Sequence, residues 1–272
     1  IREGTNKKDR QKWAPAYALR RAMEIDRTLG DLSAAIAAAD ELIQTVPESA
    51  YVPQAYLTKA EAQRWLGEGA KALVTLEGFR ALIDQKQLGA GWQLEADLSA
   101  LLSDAGLSGS AKRSRIADIV KAAGSDYPLL KNRAFVAEGE SYLQEEEPDL
   151  AAALAAFRNI AADANADPAT LAGAYAGIGE SLFREVAGSM KPNKPLEEQQ
   201  AQMLREALKN LLRVVVVYKD QSRYVQGALL YAGRAFDLFG TPNEQARARL
   251  MYTRLISEYP SSPAATEAKR FL

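Results

Sequence analysis

Apolar residues recur at helical spacing along most of the chain. From about Ala14 to Leu272, large apolar side chains stand three or four positions apart, and no stretch alternates apolar and polar residues as a half-buried strand would. Glycine and proline fall between the periodic segments rather than inside them, which is typical of helix ends. The pattern therefore predicts an all-α protein.

The helical segments also repeat in pairs. In the second segment of several pairs, a small residue precedes a large apolar one by four positions, as in Ala153 and Phe157. The first segments share a different pattern, in which Gly139-Glu-Ser-Tyr-Leu143 recurs as Gly179-Glu-Ser-Leu-Phe183. Glycine destabilises a helix interior by about 1 kcal/mol relative to alanine. Its reuse at one place in the repeat therefore predicts close packing against a neighbouring helix.

Together these columns resemble the tetratricopeptide repeat, which pairs a Leu-Gly-x-x-Tyr helix with an Ala-x-x-x-Phe helix and a closing proline. The resemblance covers residues 14–272: six units at 14–47, 51–86, 89–124, 127–165, 168–219 and 222–260, and a last helix within 262–272. The unit at 89–124 has no clear small-residue column. The resemblance implies a right-handed superhelical solenoid of antiparallel helix pairs, built as one continuous array.

Two segments depart from the repeat. Residues 1–13 are charged and lack an apolar period, so we predict an N-terminal arm there. Residues 188–200 contain Gly188, Pro192 and Pro195 and are predicted to be a loop insertion with exposed lysines at 191 and 194. Solenoid insertions often lie on a binding face, but loops also tolerate sequence drift, and the sequence leaves both interpretations open.

The charge balance and two missing residue types exclude several function classes. The chain has 34 Lys and Arg against 35 Asp and Glu, so no basic excess points to nucleic acid. It contains no histidine and no cysteine, which excludes Ser-His-Asp and Cys-His catalysis, zinc fingers and disulfides. Gly177-x-Gly179 lacks the third glycine of a dinucleotide motif, and Glu145–Glu147 lacks EF-hand spacing. We predict no catalytic, cofactor or metal site.

The candidate partner-binding residues are charged and follow the small-residue column of the first helices. In tetratricopeptide repeats the first helices line the concave surface, so the resemblance implies that equivalent residues form a row there. The alternative is a set of solvated i,i+3 ion pairs, such as Glu24 with Arg27 and Glu61 with Arg64. The candidates are Glu24, Glu61, Arg64, Glu140, Glu180 and Arg234.

The predicted function is a non-catalytic scaffold that holds a protein or peptide in the concave groove. The alternative is an enzyme or small-molecule-binding protein that uses carboxylates in a closed solenoid pocket. An enzyme should show converging carboxylates with raised pKa values, whereas a scaffold should show an open groove with solvated polar groups. Self-association through an exposed terminal helix is a third possibility, and the sequence leaves the partner's identity and the oligomeric state open.

The C-terminal segment bears on the compartment. Residues Tyr259–Lys269 are similar to a junction in bacterial cell-envelope repeat proteins, and Ser262-Pro263 is typical of a helix start. No stretch approaches the roughly 18 apolar residues that a membrane span needs. The sequence begins at Ile1, and we expect a signal or lipid anchor to have preceded it. We therefore expect a periplasmic or envelope protein in bacteria.

Overall fold

The computed structural model describes residues 7–191 and 194–272, with side chains from Pro15 onward. In this part of the chain the secondary structure consists of helices without strands, which confirms the all-α prediction. The helices are α1 (Lys7–Leu29), α2 (Leu32–Thr45), α3 (Val52–Trp65), α4 (Gly69–Lys86), α5 (Ala90–Ser103), α6 (Gly109–Ala123), α7 (Pro128–Leu143), α8 (Leu150–Ala161), α9 (Pro168–Ser189), α10 (Glu198–Val217), α11 (Ser222–Phe239), α12 (Pro242–Glu258) and α13 (Pro263–Ala268).

Local sequence explains where several helices begin and end. The hydroxyl of Ser262 accepts a hydrogen bond from the backbone N–H of Ala265, and Pro263 follows as the first helical residue, as the sequence predicted. Asp167 caps α9 in the same way. At the C-terminal end of α11, Gly240 has a φ of 71°, a left-handed conformation that favours glycine.

The first helix starts earlier than the sequence predicted. Helix α1 runs from Lys7 and contains Pro15, so most of the segment that we predicted as an N-terminal arm is helical. Lysine, arginine and glutamine have good intrinsic helix propensities, and a helix there does not require an apolar period. Residues 1–6 of the predicted arm lie outside the described residues.

The chain divides into two compact units. The N-terminal unit is Ile1–Gly106 and contains α1 to α5, and the C-terminal unit is Leu107–Leu272 and contains α6 to α13. The sequence predicted one continuous array, whereas this boundary falls inside the predicted pair 89–124. That pair is the one without a clear small-residue column, which elsewhere lets neighbouring helices approach closely.

Both units follow the same packing rule. Consecutive helices within a unit contact each other, and so do alternate, odd-numbered helices: α1 with α3 and α3 with α5 in the N-terminal unit, and α7 with α9, α9 with α11 and α11 with α13 in the C-terminal unit. We call the odd-numbered helices the first helices, since those from α1 to α11 each open a predicted pair and α13 is the predicted last helix. Buried side chains from α7 to α13 form one core, which includes Phe157, Leu211 and Tyr252.

The glycine column of the repeat is explained by helix packing. A β-carbon on Gly139 would lie 2.5 Å from the ring of Phe157, a fully buried residue on α8. A β-carbon on Gly179 would lie 2.4 Å from Leu211 of α10, and one on Gly233 would lie 2.4 Å from Tyr252 of α12. In each pair the glycine of the first helix faces the large residue of the second-helix column. The packing interpretation of the glycine motif is confirmed.

The predicted loop insertion is shorter than 188–200. Helix α9 ends at Ser189 and α10 begins at Glu198. The side-chain oxygen of Gln200 accepts a hydrogen bond from the Glu197 N–H at 3.0 Å, as part of a capping box that stabilises the start of α10. The same Gln200 donates from Nε2 to the Ser189 hydroxyl oxygen, also at 3.0 Å, and so joins the two helix ends. Lys191 and Lys194 are exposed as predicted, whereas Met190 and Leu196 pack against the core of the C-terminal unit.

Candidate functional site

The six predicted partner-binding residues all lie on first helices. Glu24 is on α1, Glu61 and Arg64 on α3, Glu140 on α7, Glu180 on α9 and Arg234 on α11. Three of them therefore belong to the N-terminal unit and three to the C-terminal unit. Each of the four glutamates forms an ion pair with at least one arginine of its own unit.

In the N-terminal unit the two glutamates form ion pairs of different kinds. Glu24 contacts Arg20 at 2.7 Å and Arg21 at 3.0 Å, both on its own helix. Arg27 extends from α1 to Glu61 of α3 at 3.6 Å, because these two helices are in contact. Arg64 is half-buried near the C-terminal end of α3. The Glu24 pairs therefore lie within α1, and the Glu61 pair joins α1 to α3.

In the C-terminal unit, Glu140 and Glu180 line the same pocket, which has a volume of about 170 Å³. Residues of α7, α8, α9 and α11 form its wall. The small residues Gly173, Ala176, Gly177 and Gly227 leave the space open, while Leu143 and Phe157 supply apolar surface. The polar lining consists of Glu140, Glu180, Arg223, Tyr224 and Tyr231. We call this cavity the Glu140/Glu180 pocket.

Glu140 is held by an arginine from a distant part of the chain. Nη2 of Arg223, on α11, donates to both carboxylate oxygens of Glu140 at 2.6 and 2.7 Å. The two side chains are 24% and 19% exposed, so water screens this pair less than it screens a surface ion pair. The Arg223 guanidinium also lies over the ring of Tyr224, 4.9 Å from its centroid.

Glu180 belongs to a second group that links three first helices. The hydroxyl of Tyr231 on α11 donates to Glu180 Oε1 at 2.8 Å, and Arg184 Nη2 contacts the same oxygen at 2.5 Å. Arg184 also donates to the Tyr231 oxygen at 3.1 Å and to the carbonyl of Leu143, the last residue of α7, at 2.9 Å. One guanidinium therefore connects α7, α9 and α11.

The surroundings of Glu180 disfavour its charge. Burial raises the pKa of Glu180 above its ordinary value, and the negative charge of Glu140 adds to the rise, although Arg184 and Tyr231 oppose it. Burial and the neighbouring Glu180 raise the pKa of Tyr231 to about 12, so its hydroxyl stays protonated as the donor at neutral pH. Arg184 and Arg223 match the two carboxylates in number, and burial and the neighbouring Glu140 nevertheless disfavour the charge of Glu180.

Arg234 has a different role from the glutamates of the predicted row. It pairs with Glu267 of α13 at 3.3 Å, and its guanidinium lies 4.9 Å from the ring centroid of Phe183 and 5.6 Å from that of Phe271. It does not line the Glu140/Glu180 pocket. Its contacts join α9, α11 and the C-terminal segment.

The sequence missed most of the polar residues that complete the pocket. Arg184 follows Glu180 by four positions, a spacing that places the two on one helix face and could have identified it. Arg223 is 83 residues from Glu140 and carries no local signal of that pairing. Tyr224 and Tyr231 lie in the same helix as Arg223 and became candidates only through the contact between α9 and α11.

The described residues show neither a metal-ligating cluster nor a membrane-spanning helix. No group of three or more potential metal-ligating side chains occurs in residues 7–191 and 194–272. In that same part of the chain, no helix combines the length and apolar character needed to cross a bilayer.

Comparison of the chain with family models, curated proteins and solved structures finds no match. The resemblance to the tetratricopeptide repeat therefore stays a prediction.

Proposed function

We propose that the protein is a non-catalytic scaffold that binds a protein or peptide partner through its first helices, at the Glu140/Glu180 pocket. The observation that carries this proposal is that α7, α9 and α11 contribute charged, aromatic and small residues to one cavity. We further propose that the helix pairs form a right-handed, tetratricopeptide-like solenoid, whose first helices would present the pocket on its concave surface. The bacterial cell envelope is the compartment that we propose, from the C-terminal resemblance alone.

The way the pocket is held together supports a binding role. Arg184 joins three helices, and the Glu140–Arg223 pair joins α7 to α11, so the side chains are fixed before a partner arrives. A preformed surface loses little conformational entropy on binding, which favours affinity. Both carboxylates are engaged by guanidinium groups, an arrangement that suits recognition better than proton transfer to a substrate.

A second candidate function is the binding of a free small molecule. Two carboxylates share the pocket and the pKa of Glu180 is raised, which are features that we expected of the carboxylate-based alternative. The two candidates differ in ligand size. A free small molecule would fill the pocket alone, whereas a peptide would also contact the first helices beside it.

Gly227 offers a way to test the proposal without disturbing the fold. It lines the pocket, and a β-carbon placed on it would meet no atom within 4 Å. A leucine there should fill the cavity rather than push helices apart. Gly188, exposed near the end of α9, also has nothing within 4 Å of an added β-carbon and does not line the pocket. Gly188→Leu is therefore the matched control.

The experiment selects binders from a displayed library of random dodecapeptides on the wild-type chain and then measures their affinities. We expect selected peptides to bind Gly188→Leu as they bind the wild type, and to bind Gly227→Leu at least tenfold more weakly. Melting temperatures of the variants establish that both are folded. Failure to enrich any peptide, or equal binding to all three chains, would overturn the proposed function.

A further inference from the structure

The carboxylates of the Glu140/Glu180 pocket can accept further hydrogen bonds. A carboxylate offers about four acceptor positions. Among the described residues, the hydrogen bonds to Glu180 all go to Oε1, and Glu140 receives one contact on each oxygen from Arg223. On the donor side, Arg184 already uses Nη1 for the Leu143 carbonyl and Nη2 for Tyr231 and Glu180. Glu180 Oε2 therefore has acceptor positions left for a further donor.

The charges in the pocket also favour the entry of a cation. Glu140 and Glu180 repel each other, and burial adds to the cost of the Glu180 charge. A cation that enters beside them would lower both costs, because opposite charges at short distance stabilise each other strongly where water is partly excluded. An entering anion would be repelled by the two carboxylates.

The pocket also has room and suitable walls for a cationic group. Its volume of about 170 Å³ is well above the roughly 10–15 Å³ that one water molecule requires. Tyr224 and Tyr231 are part of the lining, and aromatic faces attract guanidinium and ammonium groups. The chain itself provides an example, since Arg223 lies against both the Glu140 carboxylate and the Tyr224 ring.

We propose that the Glu140/Glu180 pocket binds the guanidinium or ammonium group of an arginine or lysine side chain presented by a partner peptide. This inference rests on the proposed function for the source of the cation, but the preference for a cation follows from the carboxylates, the ring faces and the cavity. The cation would hydrogen-bond to Glu180 Oε2 and to the remaining acceptor positions of Glu140. Specificity would come from charge as well as from shape.

The first arm of the test uses small probes of defined charge: N-acetyl-arginine N-methylamide, the matching lysine and glutamate compounds, and the citrulline compound, a neutral analogue of arginine. Each probe is titrated into the wild type, Glu180→Gln, Gly227→Leu and Gly188→Leu. We expect the arginine probe to bind at least fivefold more tightly than the citrulline probe. We also expect at least a fivefold loss in Glu180→Gln, no binding to Gly227→Leu and unchanged binding to Gly188→Leu.

Two results would overturn the inference: citrulline binding as tightly as arginine, or the glutamate probe binding most tightly. Tyr231→Phe provides a second variant in case Glu180→Gln fails to fold. It keeps both carboxylates but removes one donor from Glu180, so binding of the arginine probe should be at least as tight as in the wild type. A loss of binding in this variant would also contradict the inference.

The second arm separates this inference from the proposed function. Each basic residue of the selected dodecapeptides is replaced in turn by citrulline or norleucine, and affinity is measured again. A single basic residue should account for at least a tenfold loss, which disappears in Gly227→Leu. Peptides that bind through the pocket but do not depend on any basic residue would contradict the inference, while the proposed function would still hold. Arginine probes that bind while no peptide does would overturn the peptide source and the proposed function, and would favour a free small cation.

Discussion

Arg223 and Glu140 lie 83 residues apart in the sequence, yet Nη2 of Arg223 contacts both carboxylate oxygens of Glu140. The pair joins α11 to α7, two helices that each contact α9. A glutamate that follows the glycine of one repeat is thus neutralised by an arginine two repeats later. This longer-range pairing means that the predicted row of glutamates is, within the C-terminal unit, a set of ion pairs around a pocket.

The coupling between Arg223 and Glu140 can be measured by a double-mutant cycle. Using Glu140→Gln and Arg223→Gln, we expect a coupling energy of about 1 kcal/mol, the upper end for ion pairs near a surface, since both side chains are less than a quarter exposed. Chemical unfolding of the four chains gives the value. The exposed Arg158–Glu206 pair is the control and should couple by less than about 0.5 kcal/mol. Equal coupling in the two pairs would contradict the burial argument.

Substitution of the repeat glycine should disrupt packing. A side chain at Gly179 would overlap Leu211 and come within 3.1 Å of the carbonyl oxygen of Ala207. We expect Gly179→Leu to reduce the free energy of unfolding by about 1–3 kcal/mol or more, because overpacked cores respond in this range. Gly188→Leu, with open space around its β-carbon, should differ from wild type by less than about 0.5 kcal/mol. Thermal unfolding compares the two, and similar melting temperatures would show that the glycine column has another origin.

Two glycines that line the pocket should respond oppositely to alanine. Gly227→Ala meets no neighbour, and alanine favours a helix interior over glycine, so we expect a gain of about 0.5–1 kcal/mol in stability. Gly173→Ala would place its β-carbon 2.8 Å from Val136 and 2.9 Å from Tyr224, and we expect it to be destabilising. Urea unfolding of both variants tests the difference. A destabilised Gly227→Ala chain would mean that the pocket is not open at α11.

The raised pKa of Glu180 predicts a pH dependence of stability. Ionisation of a group whose folded pKa is raised is more costly in the folded state than in the unfolded chain. Stability from Glu180 is therefore fully present below its ordinary pKa of 4.5 and is lost as the pH rises through the higher folded pKa. Relative to Glu180→Gln, the wild type should become less stable as the pH rises from 4 toward 7.

Chemical unfolding of the wild type, Glu180→Gln and Tyr231→Phe across that pH range is the measurement. Tyr231→Phe removes a hydrogen bond to the ionised carboxylate, so its stability should fall further than that of wild type over the same interval. A stability difference between wild type and Glu180→Gln that stays constant or grows with pH would contradict the prediction.

The segment between α9 and α10 should contribute to stability through the apolar contact of Leu196. Leu196 is half-buried and packs against the core of the C-terminal unit, so Leu196→Ser should lower the free energy of unfolding by about 1 kcal/mol. Lys194→Ser, two residues earlier and exposed, is the control and should have little effect. Unfolding midpoints compare the two variants. Equal effects would show that the contact made by Leu196 is unimportant.

The sequence by itself determined the helices and their pairing. Apolar spacing identifies the buried face of each helix, and residues such as Ser262, Pro263 and Gly240 mark helix ends through local hydrogen bonds and backbone preferences. The glycine column was also readable, because a residue unfavourable to helix recurs where the opposite helix places Phe157, Leu211 or Tyr252. These features depend on neighbours within a single helix or within one helix pair.

Which residues come together in the pocket depends on the tertiary structure. Glu140 and Glu180 were identified as candidates from their place in the repeat, but Arg223, Tyr224 and Tyr231 approach them only because α11 packs against α9. The division into two units at residues 106 and 107 likewise reflects which helices contact each other. An ion pair between residues 83 positions apart leaves no periodic trace in the chain, since its two partners are brought together by the packing of helices that each satisfy their own local pattern.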